Sequence, residues 1–199
     1  GMQHDYIMLD CGVHPKKEGL EALPALEALE SPPLGVLISH AHIDHCGALP
    51  CLMQRFPSIS CYGTVPTLSI MDRMLHNSVS VMEALSQEQG IPGYPLYFHK
   101  HVDKLFRKVF GISYHREFVL APKKPFRAAF YPSGHVLGSA SVLLRSPHHT
   151  LLYTGDICMT HQELMAGLKP LDPSLRIDTL VIESTRAAHE EEESAVFQS

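Results

Sequence analysis

The run His40-Ala41-His42-Ile43-Asp44-His45 puts four metal-competent side chains into six residues. Such a group is poor core material, because burying all four without partners is costly. A tight turn can instead aim His40 and His42 at one ion and leave Asp44 and His45 facing a second ion close by. Imidazole and carboxylate together suit Zn2+, with bonds of about 2.0–2.2 Å. Two later elements can complete the set. Gly134-His135-Val136-Leu137-Gly138-Ser139-Ala140 holds a histidine between glycines, and Leu151-Leu152-Tyr153-Thr154-Gly155-Asp156 ends an apolar run on a carboxylate. Each is a weak signal alone. Beside the first cluster they offer a third imidazole and a carboxylate able to bridge two ions.

These groups need elements to hold them. Residues 5–9 read as a strand, and Asp10-Cys11-Gly12 as the turn that ends it. Residues 17–30 carry leucines at near-helical spacing, interrupted by Pro24. Residues 34–39 form a short apolar run, as expected for a strand buried on both faces, and the histidine cluster follows at once. Residues 47–56 read as a helix and 58–62 as a strand. Residues 66–89 place Leu68, Met71, Leu75, Val79, Met82 and Leu85 at helical spacing, closed by Gly90. The methionines there suit core filling. A second amphipathic helix is expected over 100–110. Short strands follow at 117–120, 126–131, 140–145, 150–154 and 178–182, and an acidic stretch at 189–194. Strand–helix units followed by a run of strands predict an α/β sandwich with helices outside. Sites in such folds gather beyond strand C-termini, where all these motifs lie.

The chain has 199 residues, 45% hydrophobic and 19% charged, which suits one globular domain or a large part of one. No apolar run approaches the roughly 20 residues of a membrane-spanning helix. The net charge of −5 argues against binding nucleic acid over the whole surface. It leaves room for a nuclease, because bound metal ions would make the site itself positive. Lys100, Lys104, Arg107 and Lys108 cluster, as do Lys123, Lys124 and Arg127, and these read as a solvated helix face and a loop. Five cysteines without a CxxC pair point to free thiols in a reducing compartment, hence the cytoplasm, or the nucleus in a eukaryote.

The order HxHxDH, Gly-flanked His, strand-Gly-Asp resembles the ligand order of the metallo-β-lactamase superfamily. Met8-Leu9-Asp10-Cys11-Gly12, the run Ser39 through Pro50, Gly134 through Ala140 and Tyr153-Thr154-Gly155-Asp156 look like its β-CASP nuclease branch. Val181-Ile182-Glu183-Ser184-Thr185 is similar to that branch's acidic motif. The likeness runs from about residue 6 to about 190 and is least over 90–116. It implies a metallo-β-lactamase-type αββα sandwich. By the resemblance, His40, His42 and His135 bind one zinc, Asp44 and His45 bind the other, and Asp156 bridges them. Asp10 sits behind the site and orients a ligand. Asp44 also handles the proton of the attacking water, and Glu183 assists a proton donor at the leaving oxygen. The implied reaction is zinc-dependent hydrolysis of a phosphodiester in single-stranded RNA, with two cations about 3.5–4 Å apart.

The likeness has three departures. The family's opening hairpin, its β-CASP domain and its closing segment are not matched, and Arg186-Ala187 stand where the branch has Tyr-Gly. The expected organisation is a partial domain over 2–186, with 187–199 an acidic tail that begins the insertion. In the family the closing segment carries the last histidine of the second zinc. The resemblance therefore implies an under-occupied second site, little nuclease activity, and a partner protein or second copy that completes the site. Two other readings stay open: a non-catalytic metal-binding scaffold, and a small-molecule thioesterase of the same fold.

Overall fold

The computed structural model describes residues 5–121, 124–163 and 165–185. The expected 187–199 tail, the acidic 189–194 stretch, Arg186-Ala187 and Lys123 lie outside them. Two sheets organise the chain. The first is parallel, in the order β1 (Met8–Leu9), β2 (Val36–Leu37), β3 (Cys61–Gly63) and β4 (Val109–Gly111). The second runs in chain order through β5 (Phe118–Val119), β6 (Arg127–Pro132), β7 (Ala140–Arg145), β8 (Thr150–Tyr153) and β9 (Thr179–Val181). It is antiparallel except for the parallel β8–β9 pair.

The segment around β2 shows why the apolar run ahead of the histidines has no polar alternation. Val36, Leu37 and Ile38 are all 0% exposed. Val36 and Ile38 join the helix-side core, while Leu37 packs between the sheets against the cluster of Phe130, Ala140 and Val142. A strand buried on both faces must be apolar on both. Four helices follow: α1 (Ile43–Cys46), α2 (Leu49–Arg55), α3 (Val65–Gln89) and α4 (His99–Phe106). On α3, Leu68, Met71, Leu75, Val79 and Met82 form one buried face. Thr64 caps its start by accepting from the Thr67 N–H, and Gly90 ends it at φ +64°. All four helices feed the core beside the first sheet. Among the described residues they supply one outer layer of the sandwich.

Two expected elements differ. Residues 17–30 do not form a helix but two short 3-10 turns, Gly19–Ala22 and Leu26–Ala28, on either side of Pro24. Proline removes an N–H and restricts the residue before it, so the leucine periodicity cannot be realised as one helix. The Arg55 guanidinium donates instead to the carbonyls of Glu27 and Leu29. The run 100–110 is helical only to Phe106, and its end becomes β4. There the Cys61 N–H donates to the Lys108 carbonyl and Val109 pairs with Cys61. Val109 and Phe110 suit a strand, and an open sheet edge settles the choice. No described helix is long and apolar enough to cross a membrane.

Candidate metal centre

The parallel strands end where the chemistry-bearing residues begin. β2 delivers Ser39 and His40, the chain turns through His42, and α1 carries Asp44 and His45. The turn is clamped from β1. The Cys11 N–H donates to the His45 carbonyl, the Val13 N–H to the Ile43 carbonyl, and the Ala48 N–H to the Cys11 carbonyl. Gly12 lies inside this clamp. A Cβ there would sit 1.6 Å from the Asp44 carbonyl oxygen and 2.6 Å from the His45 nitrogen. Gly12→Ala must therefore push the turn off its strand. Overpacking of this kind costs about 1–3 kcal/mol. We expect a lower denaturation midpoint for the metal-free variant together with weaker metal binding; wild-type values in both would show that the turn does not depend on this contact.

His135 arrives from the second sheet, in the loop between β6 and β7. Its loop is pinned at Gly138, whose carbonyl accepts from the hydroxyls of Thr64 and Thr67 at 2.6 and 2.8 Å. Gly138 has φ +86°, and a Cβ there would meet the Thr67 nitrogen at 2.5 Å, so glycine is required on both counts. Gln162 donates to the Gly134 and His135 carbonyls from the far side. Asp156 follows β8 two residues beyond Thr154.

Four side chains converge. Ligand atoms of His40, His42, His135 and Asp156 all lie within 4.8 Å of one another. His40 Nε2 is 2.9 Å from His42 Nδ1, which is 3.3 Å from His135 Nε2. Asp156 Oδ2 is 3.8 Å from His40 Nε2 and 3.5 Å from His135 Nε2. Atoms each about 2.0–2.1 Å from a tetrahedral ion stand about 3.3 Å apart. The four thus have the donor types and spacing to hold a zinc-sized cation. The other Asp156 oxygen, Oδ1, faces His45 Nε2 at 3.4 Å, and Asp44 Oδ2 is 3.9 Å from that same nitrogen. One carboxylate therefore faces both the three-histidine group and the His45 ring, which has Asp44 beside it.

Asp10 organises the second group from behind. Its Oδ2 accepts from the Ser39 hydroxyl at 2.7 Å, the Tyr153 hydroxyl at 2.7 Å and His45 Nδ1 at 2.8 Å, and Oδ1 accepts from the Ser39 N–H at 2.7 Å. These bonds set two tautomers. His45 spends its Nδ1 proton on Asp10, which leaves Nε2 as a lone pair aimed at the cluster. Ser39 has given its only proton to Asp10, so its oxygen accepts from His40 Nδ1 at 3.0 Å, and His40 Nε2 is likewise a lone pair. Histidines that bind metal are commonly held this way. Burial, then the neighbouring His45, His42 and His135 rings, lowers the His40 pKa to about 2. Burial also lowers His135, against the raising charge of Asp156. Burial would lower His45 too, but its bond to Asp10 and the charges of Asp10, Asp156 and Asp44 raise it overall.

The residue pattern and the fold agree with comparison to known proteins. A family model described as the metallo-beta-lactamase superfamily matches residues 3–191. The chain belongs to this superfamily. Cleavage and polyadenylation specificity factor 73 of Drosophila melanogaster is 35% identical over 185 residues, covering 92% of this chain and 25% of the relative. An RNase J-like protein of Methanocaldococcus jannaschii is 30% identical over 184 residues, covering 92% of this chain and 38% of the relative. These are proteins of the β-CASP RNase branch. The chain spans about a quarter to two fifths of their length. A crystal structure of a protein of unknown function from Enterococcus faecalis V583 shares the fold, with a TM-score of 0.51 and 18% identity over 79% of this chain and 39% of the other.

As a metallo-beta-lactamase superfamily member the chain places the residues singled out in its sequence as follows. His40, His42, His135 and Asp156 meet at one point, and Asp44 and His45 stand beside it. Asp10 lies behind His45. Glu183, at the end of β9, is turned toward the backbone: its Oε1 accepts from the Ile157 N–H at 2.7 Å, and its own N–H donates to the Thr154 hydroxyl. Burial raises the Glu183 pKa less than the Ile157 bond and the contacts with Thr185 and His135 lower it, so it stays a carboxylate. Ser39 and Tyr153 carry no signal of metal chemistry in the sequence, yet both fix Asp10. Only their positions at two strand ends, next to His40 and ahead of Asp156, mark them.

Proposed function

We propose that this chain carries a two-zinc centre that hydrolyses phosphodiesters in single-stranded RNA. The carrying observation is Asp156, whose two oxygens face two donor groups, three histidines on one side and His45 with Asp44 on the other. Two ions about 3.5–4 Å apart form the clamp that in-line phosphoryl displacement uses, and Asp156 would lie between them. The RNA substrate is supported by the RNA-processing relatives, a cleavage and polyadenylation factor and an RNase J-like protein by name. His40, His42, His135 and Asp156 would hold one zinc, and Asp44 and His45, with Asp156 shared, would hold the other. The zincs supply charge neutralisation at the phosphoryl oxygens and a water nucleophile at neutral pH. Asp44 is 45% exposed at the side chain and can orient a water proton at the mouth of the site. Asp10 and Ser39 keep His45 and His40 in the tautomers that leave Nε2 bare. Glu183, bonded to the Ile157 amide, acts as a positioning residue for the Asp156 turn.

The first position has four donors from the described residues and the second has three, so zinc should fill them unequally. Slow hydrolysis is expected, since the second position is the weaker and Glu183 is engaged with backbone rather than with a leaving oxygen. Titration of the metal-free protein with zinc, followed by incubation with labelled single-stranded RNA, checks both points. We expect a tight first equivalent, a weaker second, and slow zinc-dependent cleavage that disappears in the Asp44→Ala/His45→Ala variant. Two zincs bound with no cleavage above that variant would mean a metal scaffold rather than an enzyme.

A further inference from the structure

The cationic stretch Lys100–Lys108 is not a plain solvated helix face. α4 turns its residues two ways. Asp103 faces α3, 3.6 Å from His76. His101, Lys104, Arg107 and Lys108 instead line a cleft of about 540 Å³ shared with α2, whose Pro50 and Met53, with Pro57 beyond its end, form an apolar floor. Among the described residues, the Lys and Arg side chains in ion pairs are Lys124, Arg127, Arg145 and Arg176. None of the cleft cations has a described carboxylate within salt-bridge distance. Lys100 adds a further charge at the helix start, over the Phe98 ring. Some of this charge suits the C-terminal end of α4, where the helix dipole favours cations. The dipole does not account for a concave, apolar-floored space between two helices with three cations at its rim. Partial burial and the charges of Lys100 and Lys104 lower the His101 pKa, which accords with a positive potential in the cleft.

We propose that the α2–α4 cleft is an exosite for the phosphate backbone of a single-stranded nucleic acid, with a base or ribose resting on Met53 and the two prolines. The proposal rests on the nuclease reading for its ligand. In a chain of net charge −5, this is a place where an anionic strand gains attraction. The cleft also stands away from the metal centre. Lys108 leads into the first residue of β4, whereas His40 follows the last residue of β2, so in a parallel sheet the two lie at opposite strand ends. A strand held there is anchored without being cut, and the exosite contributes affinity rather than turnover.

Binding is tested by fluorescence anisotropy with labelled oligouridylate and EDTA-treated protein, over a series of salt concentrations. Lys104→Glu/Lys108→Glu should weaken binding at least about tenfold at low salt. It should also flatten the plot of log affinity against log salt by about 1.4, at about 0.7 for each single-strand phosphate that is no longer neutralised. Lys16→Glu/Lys17→Glu, an equal charge change at exposed lysines elsewhere, should leave the slope unchanged. Both lysine pairs are exposed, and melting curves confirm that each variant folds. Equal effects of the two variants, or none from the first, would overturn the exosite. Preference for polyglutamate over oligouridylate would overturn it in favour of an acidic protein partner. The assay reads no cleavage, so zinc-dependent hydrolysis with salt-insensitive binding sinks the exosite alone. Cleft-dependent binding without hydrolysis sinks the nuclease reading alone.

Discussion

On the proposed two-metal reading, Asp156→Ala should empty both metal positions and bring RNA hydrolysis to the level of the uncatalysed control. The two oxygens of this side chain face different donor groups, Oδ2 toward His40 and His135 and Oδ1 toward His45. Removing it takes one of four donors from the first position and one of three from the second. Loss of a mere supporting residue weakens a metal site about 10–100-fold, and loss of a shared ligand should exceed that at both. The rate should fall by more than about 10³-fold, beyond what one missing transition-state donor costs. Asp44→Ala is the informative partner. Asp44 belongs to the second group alone, so that variant should keep one tightly bound zinc while losing hydrolysis. Metal analysis after gel filtration separates the cases: none or a trace for Asp156→Ala, one for Asp44→Ala. If Asp156→Ala retains two zincs, the bridge does not exist.

The contrast between these two aspartates shows what was readable in the chain. Asp44 sits inside a six-residue cluster that no packing argument can absorb. Gly155-Asp156 taken alone reads as the start of a turn, and only an ordered set of strand ends makes Asp156, 116 positions later by subtraction of their numbers, a partner of His40. Periodicity carried the parts of the fold where packing decides: the doubly buried β2 and the long α3 with its single apolar face. It failed where a competing local interaction decides. Pro24 breaks a leucine pattern into two 3-10 turns, and the unpaired edge of β3 draws Val109 out of a helical run. The supporting bonds behind the site were the least legible. Ser39 and Tyr153 act through hydroxyls that any strand end could carry, and their role depends on Asp10 arriving from a third strand.

Asp10→Asn gives the second large effect, and its signature is specific. Asp10 holds φ +59°, a left-handed conformation that asparagine also tolerates, so the backbone should stay in place. The carboxylate accepts four bonds, three of them at Oδ2. An amide offers one accepting oxygen and a donor group. If that oxygen stays with the Ser39 N–H, the new NH2 meets the hydroxyls of Ser39 and Tyr153 and the Nδ1–H of His45. The hydroxyls can rotate away, but the imidazole can only move its proton. His45 then carries it on Nε2, the atom that faces Asp156 at 3.4 Å and that would bind the second zinc. Ser39 is also released to donate toward His40 Nδ1, which disturbs the first position less directly. The second zinc should bind about 10–100-fold more weakly, with the first little changed. The metal-free protein should lose about 1–3 kcal/mol of stability, because part-buried donors are left without an acceptor. Nitrogen chemical shifts of the His45 ring report the tautomer directly. A merely structural role for Asp10 would lower stability and leave that ring with its proton on Nδ1, and this result would show that the carboxylate does not set the metal-binding face of His45.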